Sequence, residues 1–305
     1  MTVVERRAGA TLTPIELDPG DVLRFTLVDG TTRELRLVAT HAEIVRTTLP
    51  LPLVETKGAE TILAFWADVE IDGERHRLWR EIGTQRSFYE PCRIAGLHLW
   101  LDAVDDIFTY LQETHGACRP NRRARLALQD ASLPICPEAL MPWCPLPPGG
   151  ISIADCYNGE DCWLGAYYGA AAHGGLDINH PAGTPIFAPF DLDDHGLFET
   201  VYDGHRNNRW RGTRTWPDGR TWVIGCHHVI KLTTAAGRPV AAGTQIARGA
   251  GVAVGAHEHS HFTFAVRDGD ALIRLDPWIV FWQTYLDVHG RVSGRVGHLD
   301  AANRG

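Results

Sequence analysis

Residues 257–264 constrain the chain more than any other stretch, because they read His-Glu-His-Ser-His-Phe-Thr-Phe. Alternation with a period of two is typical of a β-strand, so the three imidazoles are expected on one face of a sheet. Each imidazole has two nitrogens that need partners, which makes such a face a poor core. Neutral imidazole is also a common metal ligand. The run therefore predicts either a metal-binding face or a solvated edge strand.

Length and charge narrow the class of protein. The 305 residues suffice for one large domain or two ordinary ones. A formal net charge of −8 argues against a nucleic-acid or anionic-membrane partner. No apolar run reaches the ~20 residues of a membrane span, and residues 1–7 lack the apolar stretch of a signal peptide. We expect no membrane span, and either an internal protein or one whose export signal is absent from this sequence.

The seven cysteines leave at least one outside any disulfide pair. Cys136 with Cys144, and Cys156 with Cys162, are spaced for small disulfide loops in an oxidising compartment. Buried thiols explain the same spacing equally well. The chain has no CxxC motif, which argues against a cysteine zinc finger.

Residues 1–133 are predicted to form a β-rich accessory domain with one helix. Asp29-Gly30 and Asp72-Gly73 each separate alternating runs, a strong hairpin signal. A helix is predicted over residues 101–111, where apolar residues recur at helical spacing, with Gly116 as its stop. This half holds no constellation that predicts catalysis.

A proline-rich segment, residues 134–150, is predicted to be the linker to a second domain at 151–305. In that domain His173 and Asp177 are four residues apart, but two glycines between them disfavour a helix. We expect a loop that leads into a strand, with both side chains turned towards one site. Residues 190–222 form a long connection rich in arginine and tryptophan. Either this connection binds sugars or carboxylates, or it is a solvated hairpin with packed tryptophans.

Three motifs in order resemble the lysostaphin-type (LytM-type) zinc metallopeptidases, peptidase family 23 of the metallopeptidases. Residues 173–178 read His-Gly-Gly-Leu-Asp-Ile and precede Gly-Thr-Pro-Ile-Phe-Ala at 183–188. Residues 240–247 are similar to the family's central turn and strand, and residues 259–262 read His-Ser-His-Phe, like its HxH motif. The resemblance covers roughly residues 165–285. It implies an antiparallel β-sheet domain with a substrate groove.

The resemblance also implies the roles of single residues. His173, Asp177 and His261 would hold one Zn²⁺ ion, three protein ligands that leave the fourth tetrahedral position for water. His259 would be the general base and His228 would assist. His227 is the alternative to His228, because adjacent residues of a regular strand face opposite sides. The HxH register could instead be 257/259, but Phe262 favours 259/261.

The activity that the resemblance implies is zinc-dependent cleavage of peptide bonds in bacterial peptidoglycan stems or cross-links. Such a substrate implies an extracytoplasmic location, periplasmic or secreted. A catalytically silent or latent wall-binding module of the same fold is the alternative, with Asn158 as a candidate residue for blocking the metal. A cupin-type metal oxygenase fits less well, because no glutamate follows the HxH within a few residues.

Overall fold

The computed structural model describes residues 1–144, 159, 161–198, 207–232, 234–250, 258–289 and 298–300. Among these residues the chain is mostly β-strand, which confirms the predicted fold class. The strands of the first 144 residues are β1 (Val3–Arg7), β2 (Thr13–Leu17), β3 (Val22–Thr26), β4 (Thr32–Thr47), β5 (Thr61–Ile71), β6 (Glu74–Ile82), β7 (Cys92–Ile94), β8 (Leu97–Val104), β9 (Glu113–His115) and β10 (Ala124–Asp130).

The later elements include one α-helix within the described ranges. The strands are β11 (Ala166–Tyr167), β12 (Ala171–His173), β13 (Leu176–Asn179), β14 (Pro185–Phe187), β15 (Asp194–Phe198), β16 (Asn208–Thr215), β17 (Thr221–Leu232), β18 (Gln245–Gly249), β19 (His259–Asp268), β20 (Ala271–Leu275) and β21 (His298–Asp300), and the helix is α1 (Trp278–His289). This helix is too short to cross a membrane, and no described helix is long and apolar enough to do so.

The described residues divide into two compact units. Unit 1 takes its residues from Met1–Pro137, Asn158–Gly174 and Val292–Gly305, and unit 2 takes its residues from Glu138–Tyr157 and Gly175–Arg291. The functional domain boundaries predicted at residues 133 and 150 stay a prediction. Residues 145–150 of the predicted linker lie outside the described residues.

Unit 1 contains three sheets, with strand orders β1-β3-β4-β5-β6-β21, β2-β10-β8-β7 and β11-β12-β9. Both predicted hairpins form, since β3 pairs with β4 across Gly30 and β5 pairs with β6 across Gly73. Asp72 and Gly73 both adopt positive φ, which a tight hairpin turn needs. Buried aliphatic and aromatic side chains from these strands form a common core, for example Phe25, Phe65 and Leu99.

The prediction of a helix over residues 101–111 is wrong for residues 101–104, which lie in a strand. Residues 97–104 form strand β8, and a short 3-10 helix, Asp105–Thr109, follows it. Every residue of β8 is buried. A strand that is covered on both faces does not need to alternate between apolar and polar residues, so the period of two is lost. The helical spacing of its apolar residues is therefore coincidental.

Unit 2 is built on one sheet with the strand order β13-β19-β17-β16-β15. Strand β18 pairs with β17 and β14, and β20 pairs with β19. Helix α1 begins where the Asp276 carboxylate accepts the backbone N–H of Trp278 at 2.8 Å, a typical N-terminal cap. Phe281 of α1 and Phe262 of β19 both pack on Trp143, with ring centroids 5.4 and 4.7 Å away. This packing fixes one face of β19, so its other face is free to carry polar groups.

The Arg/Trp-rich connection is a hairpin, formed by β15 and β16 in antiparallel register. Trp210, Trp216 and Trp222 are buried. Its tryptophans are therefore packed, as the second of the two predicted alternatives requires. All the cysteines among the described residues are buried. Cys156 lies outside the described residues.

Candidate metal centre

Neighbouring strands of unit 2 bring the carboxylate of Asp177 next to the imidazoles of His259 and His261. Asp177 of β13 lies directly opposite His261 of β19, and His261 lies opposite His227 of β17. The Asp177 carboxylate is 3.0 Å from Nδ1 of His261 and 3.5 Å from Nε2 of His259. His259 and His261 thus share the face that strand alternation predicts. His257 lies outside the described residues, so the 257/259 register stays open.

The three predicted metal ligands are close enough to bind a single ion. Each of His173, Asp177 and His261 offers one donor atom, and these atoms lie within 4.8 Å of one another. All three residues are buried. As expected, the stretch between His173 and Asp177 is a short loop that leads into a strand, since β12 ends at His173 and β13 begins at Leu176. The chain could therefore hold a metal ion at this cluster.

The ring of His173 is oriented by its surroundings. Its Nδ1 lies 3.3 Å from the carbonyl oxygen of Cys162. A carbonyl can only accept, so Nδ1 carries the proton and Nε2 keeps its lone pair. The His115 ring stacks on that of His173 with an interplanar angle of 9°, and Tyr167 stacks on it at 19°. Such outer contacts fix the tautomer and direction of a ligating imidazole.

Gly175 makes room for the second imidazole. A Cβ atom at this position would overlap Cε1 and Nε2 of His261 and would lie 2.8 Å from the carbonyl oxygen of Phe262. The Gly-Gly pair that argued against a helix in the sequence therefore has a steric role. Only glycine at residue 175 leaves His261 in its observed position.

His228 is the extra residue of a β-bulge. Across β16 and β17, Arg209 pairs with His227 and Asn208 pairs with Val229, which leaves His228 without an opposite residue. Its φ of +62° is unusual for a residue other than glycine. The expectation that His227 and His228 face opposite sides is therefore wrong. The bulge turns both towards the β19 histidines.

Ring distances define how these two histidines contact the site. His227 stacks on His261 with centroids 4.7 Å apart, and His228 meets His259 edge-on at 4.8 Å. Burial, with a further contribution from His259, lowers the pKa of His228 to about 3, although the Asp177 carboxylate acts in the opposite direction. His228 is therefore neutral near neutral pH and can donate one N–H.

The other face of the sheet carries buried polar groups away from the cluster. Cys226 pairs with Phe262 and lies against Ser260, and Nε2 of His180 lies 2.8 Å from the Ser260 hydroxyl. Residues two apart on a regular strand share a face, but the bulge puts Cys226 and His228 on opposite faces of β17. Burial raises the pKa of the Cys226 thiol to about 12, so it stays protonated.

The donor set fits a divalent metal ion of the zinc type. Two imidazoles and a carboxylate form a three-ligand set that leaves one tetrahedral position open. Nδ1 of His228, close by, is buried and has no hydrogen-bond partner among the described residues. A buried unpartnered nitrogen costs free energy, and a bound ligand or water can satisfy it.

Comparison with known proteins gives matches at the level of structure. No protein-family model matches the chain, and no curated protein sequence matches it. The solved structures that it matches include lysostaphin-type and M23 peptidases. This is the family that the sequence motifs resemble.

Three of these structures differ mainly in how much of the chain they match. The catalytic domain of lysostaphin from Staphylococcus simulans is 22% identical, with a TM-score of 0.30, and the match covers 36% of this chain and 80% of that domain. A Pseudomonas aeruginosa protein assigned to peptidase family M23 is 13% identical, with a TM-score of 0.33 and coverage of 90% and 94%. A zinc-containing peptidase from Vibrio cholerae is 11% identical, with a TM-score of 0.27 and coverage of 86% and 83%. Because these TM-scores are low, we take function from the side chains of this chain.

Some residues of the site have no signal in the sequence. His115 lies far from His173 along the chain, and only the parallel pairing of β9 with β12 brings the two rings together. The carbonyl of Cys162 is a backbone group and carries no residue signature. Gly175, in contrast, stands inside the His-Gly-Gly-Leu-Asp run, where its neighbours already marked a site.

Proposed function

We propose that this chain is a zinc-dependent endopeptidase that hydrolyses peptide bonds in bacterial peptidoglycan stems or cross-links. The observation that carries the proposal is the meeting of three buried donor residues, His173, Asp177 and His261, within 4.8 Å. Two further histidines that are not needed as ligands lie beside them. The sequence motifs and the names of the matched peptidases point to the same activity.

In this proposal His173, Asp177 and His261 hold the zinc ion. When bound, zinc polarises a carbonyl group and makes water more acidic. His259 then accepts the proton from the attacking water, since its ring is adjacent to Asp177 without belonging to the ligand set. Neutral His228 donates a hydrogen bond to the oxygen on which negative charge develops. The unpartnered Nδ1 of His228 supports that role.

A peptidoglycan substrate places the working protein outside the cytoplasm, in the periplasm or as a secreted protein. The formal net charge of −8 argues against a nucleic-acid partner. Because the candidate metal centre and the sequence motifs both favour a peptidase, hydrolysis of wall peptides is the activity to test first.

Two single substitutions separate metal binding from catalysis. His261→Ala removes a ligand, so the purified chain should lose both zinc and peptide hydrolysis. His259→Ala keeps all three ligands, so it should retain zinc and lose hydrolysis by at least about 100-fold, the usual effect of a general base. Zinc content by atomic spectroscopy and fragment release by mass spectrometry measure the two properties.

His41→Ala is the matched control, because His41 is an exposed histidine on β4. It should leave both properties unchanged. Retention of zinc by His261→Ala would show that the ligand assignment is wrong. Full activity of His259→Ala would exclude this residue as the general base.

A further inference from the structure

A groove on the sheet of unit 2 begins beside the candidate metal ligands. Its volume is about 470 Å³, and its walls come from β15, β16, β17, β19 and β20. His227 lines the groove and stacks on His261. A peptide bound at the metal site would therefore extend into this groove.

The charged side chains that line the groove are all positive. Arg209, Arg211 and Arg274 line it, and its lining includes neither aspartate nor glutamate. The remaining lining is apolar or neutral, with Phe198 and Leu272 at its sides. In a chain whose formal net charge is −8, this concentration of guanidinium groups runs against the overall balance.

These arginines are exposed, and no described carboxylate forms an ion pair with any of them. Two other arginines of residues 190–222 differ, since Arg214 pairs with Glu138 at 3.0 Å and Arg220 pairs with Asp218 at 3.0 Å. The guanidinium of Arg211 lies over the Phe198 ring, 5.0 Å from its centroid. This contact holds the planar group while its N–H donors stay available.

Strand register gives the positions of the arginines along the groove. Arg209, His227 and His261 form one row across three strands. The next row on the same face joins Arg211, Gly225 and Thr263, about 7 Å further along the strands.

Arg274 is the third arginine of the groove and lies on β20, which pairs with the edge of β19 that faces away from β17. It pairs with Ala265, four residues after His261 and so about 13 Å along the strand. Since an extended peptide advances about 3.3 Å per residue, Arg211 and Arg274 can reach groups two to four residues from the reacting bond.

We infer that the groove is a carboxylate-binding subsite, and that the substrate is a peptide with carboxylate groups two to four residues from the bond that is cut. The inference rests on the proposed peptidase function. Guanidinium groups bind carboxylates through paired hydrogen bonds, a geometry that neutral amides do not match. The arginines therefore select acidic peptides.

The test compares two forms of one substrate. Purified peptidoglycan is used as isolated, and also after its free carboxyl groups have been converted to amides with a carbodiimide and ammonium. The conversion removes the negative charges and keeps the peptide connectivity. Fragment release by the zinc-loaded intact chain is measured on both forms, and co-sedimentation of the chain with both forms is measured in the presence of chelator.

Wild type should cut and bind the native form better than the amidated form by about tenfold, the effect of roughly one charge-assisted hydrogen bond. The double variant Arg211→Gln/Arg274→Gln should reduce this preference to less than about twofold. Arg238→Gln is the matched control, since Arg238 is exposed in unit 2 and does not line the groove. It should keep the wild-type preference, and all three proteins should bind the same amount of zinc.

Each further outcome has one meaning. If wild type cuts both forms equally, or if the double variant keeps the preference, the subsite is wrong and the peptidase function stands. If neither form is cut but the native form is bound in preference, and this preference depends on Arg211 and Arg274, the peptidase function fails and the subsite stands. If neither form is cut and both are bound equally, both are wrong.

Discussion

At the scale of single residues, His228 shows how the site differs from a regular sheet. Its positive φ places it in the left-handed region, which costs a residue with a side chain on the order of 1–3 kcal/mol. The bulge that carries this conformation also brings the His228 ring to His259. A strained residue whose ring meets a proposed general base is consistent with a functional role for the bulge.

Gly175 supplies a sharper test at the same scale. Gly175→Ala should displace the His261 imidazole, because the new methyl group would overlap that ring. We expect zinc affinity to fall by about 10- to 100-fold, as for loss of support to a ligand. Isothermal titration with zinc measures it.

Gly196→Ala is the control for that substitution. A methyl group added at Gly196 would have no other atom within 4 Å, and the φ of this residue is not in the left-handed region. The zinc affinity of this variant should equal that of wild type. Equal affinity in Gly175→Ala would mean that His261 is not a ligand in the observed orientation.

At the scale of elements, β8 carries a buried histidine, His98, from which we expect unit 1 to lose stability in acid. Burial, with a smaller effect of Arg93, lowers the pKa of His98 to about 4, and Asp130 opposes the change. The unfolded chain binds a proton near pH 6.5, so between about pH 6.5 and 4 the unfolded state holds the extra proton. The contribution of His98 to stability is complete above this range and falls as the pH falls through it.

His98→Gln should remove this dependence. The fall in thermal unfolding temperature between about pH 7 and about pH 5 should be larger for wild type than for the variant. Differential scanning calorimetry of both proteins measures the two falls. An equal fall in the two proteins would exclude His98 as a source of acid sensitivity.

Elements were predictable from the sequence where one face differs from the other. β19 alternates because Phe262 packs on Trp143 while His259 and His261 face Asp177. β8 is buried on both faces, so its pattern predicted a helix instead. The bulge at His228 has no pattern of its own, since it depends on register with β16 and β18.

At the scale of the whole chain, the motifs predicted that His173, Asp177 and His261 lie together, but they did not predict the groove beside these residues. His173 and His261 are far apart in the sequence and were linked only by resemblance, yet their donor atoms lie within the same 4.8 Å cluster as Asp177. The Arg/Trp-rich connection allowed two interpretations, of which the packed hairpin agrees with the structure, while binding of sugars or carboxylates stays a prediction. Its tryptophans are packed, and Arg209 and Arg211 face the groove.

The latent alternative belongs to this scale as well. Asn158, the candidate for blocking the metal, lies outside the described residues. A chain that binds zinc and yet leaves wall peptides intact would favour latency. Asn158→Ala should then raise activity.

The central claim is that the intact chain hydrolyses wall peptides by means of the His173, Asp177 and His261 cluster. The most direct measurement is mass spectrometry of soluble fragments from purified peptidoglycan incubated with the zinc-loaded chain, with and without chelator. We predict fragments with new amine and carboxyl ends that disappear when chelator is added. Absence of such fragments from a zinc-loaded chain, or their release in the presence of chelator, would contradict the claim.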